Sequence, residues 1–234
     1  VNKNWNKPAG ARLAIVGSAL LAFAGLLGNP SAAVAAEPGA EGAVGVTAMT
    51  ATERGTGQGT IVSISGNDVR VITAKHVAVF GTLSIQFDSH TSAPARILTL
   101  IPNHDVAVIE ATVDPSILSR FRAAHVATAT GRESVHVWGG RGSAPAYKGG
   151  SVTETGGALP DGPAKGRFEV ACDACAVGDS GAGVFDTHGD FVGVYVGYYT
   201  YDTGERVGVA EAPVDALRAA MTMPDSDQAV AFNG

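Results

Sequence analysis

Gly178-Asp179-Ser180-Gly181-Ala182-Gly183 sets a serine between glycines on a short turn. A serine hydroxyl is a weak nucleophile because its proton must leave as attack proceeds. It needs a base within hydrogen-bond reach and donors to receive the oxyanion that forms. Flanking glycines let the backbone bend tightly and aim successive N–H groups at one point. The chain supplies a base and an orienting carboxylate upstream, in Thr73-Ala74-Lys75-His76-Val77 and Asn103-His104-Asp105-Val106-Ala107-Val108. The three stretches together imply nucleophilic acyl chemistry at Ser180.

Residues 1–36 read as a secretory signal peptide. Lys3, Lys7 and Arg12 give a basic start, Leu13 to Leu27 is an apolar run, and Ala33-Val34-Ala35-Ala36 offers small residues for cleavage. The run, about 15 residues, is shorter than the roughly 20 that a membrane-spanning helix prefers. Cleavage after Ala35 or Ala36 leaves about 198 residues, enough for one domain or two fused lobes. The expected product is exported, to the periplasm or beyond, with no stable membrane association.

Charged residues are sparse, glycine is abundant at 31, and the formal net charge is −6. Such a chain favours short strands and tight turns, and it carries no basic footprint for nucleic acid. Its two cysteines, Cys172 and Cys175, are spaced C-x-x-C. A structural zinc site needs more ligands, and no His follows Cys175 for haem attachment. In an exported chain the expected state is a short-loop disulfide, stiffening the segment before Ser180.

Strand signals dominate the rest. Residues 37–43 read as a loose terminus. Residues 58–64 and 69–73 form a hairpin about Gly66-Asn67-Asp68, delivering His76 just past a strand end. Residues 83–87, 95–101 and 105–111 follow as strands; Val106-Ala107-Val108-Ile109 has the unbroken apolar character of a strand buried on both faces. After a connection over 112–132, strands are expected at 134–138, 147–153, 167–171, 183–186, 191–199 and 206–210. Pro213 opens a closing helix with Val214, Leu217, Ala220 and Met221 on one face. The fold class is all-β: two antiparallel β-barrels of six-stranded type, with a cleft between them and a C-terminal helix. The lobes divide as 37–120, holding His76 and Asp105, and 121–234, holding Ser180. His90, His125, His136 and His188 read as loop or surface residues. His104 is a poor partner for Asp105, since adjacent strand residues face opposite ways.

His76, Asp105 and Ser180, in that order and in these motifs, resemble the chymotrypsin/trypsin-like serine peptidase family in its compact bacterial form. The α/β-hydrolases and subtilisins order their triads differently. The resemblance covers roughly residues 44–222. It implies that Ser180 attacks a peptide carbonyl, His76 shuttles the proton and Asp105 orients the imidazole. It further implies an oxyanion hole from the N–H groups of Gly178 and Ser180, and a buried structural role for Asp179. No metal or cofactor is called for.

The same resemblance puts the specificity pocket floor at Ala174 and Cys175, with walls at Val196-Gly197-Tyr198 and around Gly208. No Asp stands at the floor, so the expected preference before the scissile bond is a small or medium apolar residue. Tyr195 stands where glutamate-specific members carry a histidine. The expected partner is a peptide or protein substrate, and the expected state a monomer. The rival functions are a catalytically silent peptide-binding protein on the same scaffold and an esterase-like acyl hydrolase.

Overall fold

The computed structural model describes residues 12–13, 39–129, 134–139, 146–155, 166–204, 206–212 and 214–222. The expected leader and its cleavage site thus lie outside the described residues except for Arg12 and Leu13, as do Pro213 and the tail from Pro224. Arg12–Leu13 forms a two-residue strand, β1, paired with Thr200 and Tyr199.

The first half is a closed barrel of six strands in the order β2-β3-β4-β7-β6-β5. These are β2 (Ala43–Met49), β3 (Arg54–Ser65), β4 (Asp68–Ala74), β5 (Thr82–Gln86), β6 (Ser92–Leu100) and β7 (Val106–Thr112). Every pairing is antiparallel. One-turn helices α1 (Lys75–Ala78) and α2 (Pro115–Leu118) follow β4 and β7. Strand β2 is an addition to the sequence reading, which placed a loose terminus at 37–43 and left 44–57 unassigned. All but its last residue are buried, so no polar–apolar alternation marks it.

The second half contains β8 (Ser134–Gly139), β9 (Ala146–Thr155), β10 (Arg167–Ala171), β11 (Gly183–Phe185), β12 (Phe191–Thr200) and β13 (Arg206–Glu211), followed by α3 (Val214–Met221). With β1 at one edge the sheet runs β1-β12-β11-β8-β9-β10-β13. The further pairing of β12 with β13 brings the last six strands back on themselves. The fold is therefore the expected all-β pair of barrels with a C-terminal helix. His136 belongs to β8, opposite Gly149, rather than to a loop.

Strand β7 explains how the halves adhere. Ala107 and Ile109 point into the first barrel beside Val44, Val46, Val71 and Ile85. Val106 and Val108 point the other way, into a core shared with Phe185, Phe191 and Val194 of the second half and Leu217 of α3. Both faces are thus dry, as its unbroken apolar run requires, and each buried Val or Ile side chain contributes about 1.5–3 kcal/mol. A third core, with Phe168, Val170, Val184 and Tyr195, fills the second half.

Arg70 adds a polar tie. Its Nε donates to Glu110 Oε2 at 3.0 Å and its Nη1 to the carbonyl of Met221 at 2.8 Å, so a β4 guanidinium closes the C-terminal end of α3. That is the helix end where positive charge is favoured.

Candidate active site

Strand register brings His76 and Asp105, the first two expected site side chains, together. Ala74, the last residue of β4, lies opposite Val106, the first of β7. His76 follows Ala74 by two residues, on α1, and Asp105 precedes Val106 by one, so both emerge at one barrel rim. His76 Nδ1 stands 2.6 Å from Asp105 Oδ2, and the His76 N–H donates to Oδ1 at 2.9 Å. The Lys75 N–H donates to the Asp105 carbonyl at 3.1 Å. An ionised carboxylate only accepts, so Nδ1 carries the proton of the neutral ring and Nε2 keeps its lone pair. About a third of each side chain is exposed, at 35% and 32%, which leaves the ring open to the cleft.

Ser180 comes from the turn between β10 and β11. Gly178 and Gly181 take φ of +97° and +91°, a left-handed backbone that glycine adopts without cost. The turn is clamped from both halves: the Gly181 N–H donates to the Tyr195 carbonyl at 2.8 Å, and the Gln58 N–H of β3 donates to the Ser180 carbonyl at 2.8 Å. A Cβ built on Gly57 would meet that carbonyl oxygen at 2.6 Å and Val77 Cγ2 at 2.8 Å. Ser180 and the residue next to His76 therefore crowd the same point. The N–H groups of Asp179 and Ala182 are engaged by Ala176 and Asp179 carbonyls. Among the described residues, no acceptor takes those of Gly178 and Ser180.

Asp179 is fully buried, and its Oδ2 accepts the Ala176 N–H at 2.6 Å, bracing the turn. Its carboxylate packs on Gly139 at the end of β8, where an added Cβ would meet Oδ1 at 2.5 Å. Burial pushes the Tyr195 phenol well above its ordinary value, and the Asp179 charge pushes it further.

Cys172 and Cys175 are joined as a disulfide, as expected. A cavity of about 520 Å³ opens beside it. Of the expected pocket residues, Cys175, Tyr198 and Gly208 line it; Ala174, Val196 and Gly197 do not. Val196 packs instead against the hydrophobic cores. The lining also includes Tyr195, which the resemblance had set at a pocket position, and Glu169, Asp173 and Arg206, which the sequence did not single out. The Tyr195 ring lies against Gly208, where a Cβ would meet Cε2 at 2.7 Å. Arg206 stacks over Tyr198 with its guanidinium carbon 4.8 Å from the ring centre.

A family model for the trypsin-like peptidase domain matches residues 57–194. The chain belongs to the trypsin-like peptidase family. It is a serine endopeptidase, with Ser180 and its supporting turn inside the matched region and with the two halves of that fold. Among solved structures, the peptidase resembles the active form of the Rv3671c protease from M. tuberculosis at 18% identity and a TM-score of 0.63, over 92% of this chain and 97% of that one. It resembles the MamO protease domain from Magnetospirillum magneticum at 23% identity and a TM-score of 0.60, over 77% and 97%. For the HtrA-type protease AlgW with tripeptide the values are 18% and 0.62, over 79% and 62%. At these identities the likeness shows the fold. No curated protein matches the chain.

The remaining histidines have other partners. His104 Nδ1 stands 3.0 Å from Glu211 Oε2, and His125 and His188 lie exposed beside Asp190 and Asp186. Among the described residues, no helix is long and apolar enough to cross a membrane.

Proposed function

We propose that this peptidase hydrolyses peptide bonds through Ser180, His76 and Asp105. The observation that carries the reading is the His76–Asp105 pair, 2.6 Å apart at Nδ1, beside a serine turn held by the same barrel. With Nδ1–H committed to Asp105, Nε2 faces the cleft as the base. Ser180 Oγ attacks the carbonyl carbon as its proton passes to Nε2, giving a tetrahedral oxyanion and an imidazolium that Asp105 stabilises. Collapse expels the amine, which takes the proton from Nε2, and leaves an acyl-enzyme. Water repeats the sequence in reverse roles and frees Ser180.

The N–H groups of Gly178 and Ser180 are the donors for the oxyanion. Such a donor contributes on the order of 3 kcal/mol to the transition state. Asp179 keeps them aligned by holding the turn at Ala176. The preferred residue before the scissile bond is small or medium and apolar, because the buried Tyr195 ring lies against Gly208 and shortens the pocket. The peptidase acts as an exported monomer on peptides or proteins. The apolar leader, the disulfide and the supply of all three catalytic groups by one chain support that reading.

Labelling with an organophosphonate serine-hydrolase probe tests the triad. The wild type should take one equivalent at Ser180 and Ser180→Ala none; equal labelling of both would refute the nucleophile. Mass-spectrometric mapping of products from a protein mixture tests the pocket. Dominant cleavage after Arg or Lys would overturn the apolar preference and point to Glu169 and Asp173 in the cavity wall.

A further inference from the structure

Glu211 is a fully buried carboxylate that the reaction itself does not use. It ends β13, its side chain is 1% exposed, and its two oxygens face opposite halves of the molecule. Oε1 accepts from Arg167 of β10, from Nε at 2.9 Å and from Nη2. Oε2 accepts the backbone N–H of Asp105 at 2.8 Å and lies 3.0 Å from His104 Nδ1. Each oxygen has two lone pairs, so all four sites are used. A carboxylate this deep is tolerated only when paired and hydrogen-bonded, and Arg167, 17% exposed, supplies the counter-charge.

Asp105 is held at four points. Its carboxylate takes the His76 N–H and faces the His76 ring, and its carbonyl takes the Lys75 N–H. Those three ties come from its own barrel. The fourth, at its N–H, comes from Glu211, 106 residues away in the second half. The turn it holds is a tight one: Asn103 sits at φ +61°, a left-handed conformation that is uncommon outside glycine. We propose that Glu211 is a positioning residue for Asp105, tying the triad carboxylate to the half that carries Ser180, with His104 as a second tether and Arg167 as the charge partner. This rests on the triad reading above.

The physical consequence is a shared reference frame. Asp105 orients His76 from the first barrel, while Ser180 belongs to the second. A tie at Asp105 N–H limits how far the base and nucleophile drift apart. Displacements near 1 Å can cost on the order of a hundredfold in rate, so losing one of four ties falls below that ceiling.

The test replaces the ion pair as a unit, Glu211→Met with Arg167→Met, because removing both charges spares the fold an unpaired buried one. Arg167→Lys alone serves as the comparison, since it keeps a positive charge beside Glu211 and both tethers. Active sites are counted by phosphonate titration, so rates refer to folded enzyme. The double variant should lose about tenfold in kcat with KM within about twofold, and Arg167→Lys should stay within about threefold of wild-type kcat. The low-field Nδ1–H resonance of the His76–Asp105 pair should shift or broaden in the double variant only. Unchanged kcat and an unchanged resonance in the double variant would overturn the proposal. Should that variant not fold, amide exchange in the wild type decides: the Asp105 N–H is expected to be protected, and free exchange there would equally overturn it. A wild type that takes no phosphonate at Ser180 refutes the triad instead, while the resonance and the exchange rate still report on the tether.

Discussion

Gly57→Ala offers a direct test of how the two halves meet at Ser180. Gly57 lies in β3, one residue before the Gln58 N–H that binds the Ser180 carbonyl at 2.8 Å. The added methyl would sit 2.6 Å from that carbonyl oxygen and 2.8 Å and 3.0 Å from the two Val77 methyls. Ordinary contact begins near 3.4 Å, so the oxygen must retreat by roughly 0.8 Å, and Val77, boxed into the barrel core, cannot give way instead. Overpacking of this kind costs about 1–3 kcal/mol. Stretching the Gln58–Ser180 hydrogen bond adds about 1 kcal/mol. For a protein of this size a loss of about 3 kcal/mol lowers Tm by roughly 6–12 °C. Because the displaced group is the carbonyl of Ser180, the proposed nucleophile, kcat/KM per titrated site should fall by about ten- to a hundredfold. Differential scanning fluorimetry and ester hydrolysis, normalised by active-site titration, measure the two effects. Wild-type kcat/KM with Tm unmoved would mean that the halves do not meet at Gly57 as described.

Two other perturbations probe the frame. Arg70→Met removes the buried guanidinium that joins Glu110 to the end of α3; urea unfolding should show a loss of about 3 kcal/mol, with less lost when Glu110→Met accompanies it. Equal stability of Arg70→Met and wild type would dismiss the clamp. Tyr195→Phe addresses alkaline stability. The folded phenol holds its proton above the ordinary value, so its contribution is intact below about pH 10 and declines as pH rises from there toward the folded value. Wild-type stability should therefore fall more steeply with pH above about 10 than that of Tyr195→Phe, and parallel curves would refute the assignment.

The candidate site was legible where its signal is local. The glycines about Ser180, the His at a strand end and the Asp before an apolar run each announce themselves within a few residues. Their order carried the resemblance that the family match then established. Strand β2 was hidden because six of its seven residues are buried and alternation vanishes. The expected pocket was only half visible: Cys175, Tyr198 and Gly208 line the cavity, but Glu169 and Arg206 enter through strand pairing that a linear reading leaves open. Glu211 was invisible, since nothing in Arg206-Val207-Gly208-Val209-Ala210-Glu211 distinguishes that glutamate from any strand-end acid.

Taken alone, the chain's order of residues determined an all-β architecture, the family and the three groups expected to react. Patterns of two to six residues set strand, turn and motif, and they act over distances a few bonds long. Only the tertiary structure decided that Ala74 stands opposite Val106, so that His76 meets Asp105. It alone decided that Gln58 reaches the Ser180 carbonyl and that a carboxylate 106 residues away holds the Asp105 N–H. These contacts depend on the register of closed sheets and on which barrel face meets which, and register is fixed by the packing of whole cores rather than by any neighbouring residue.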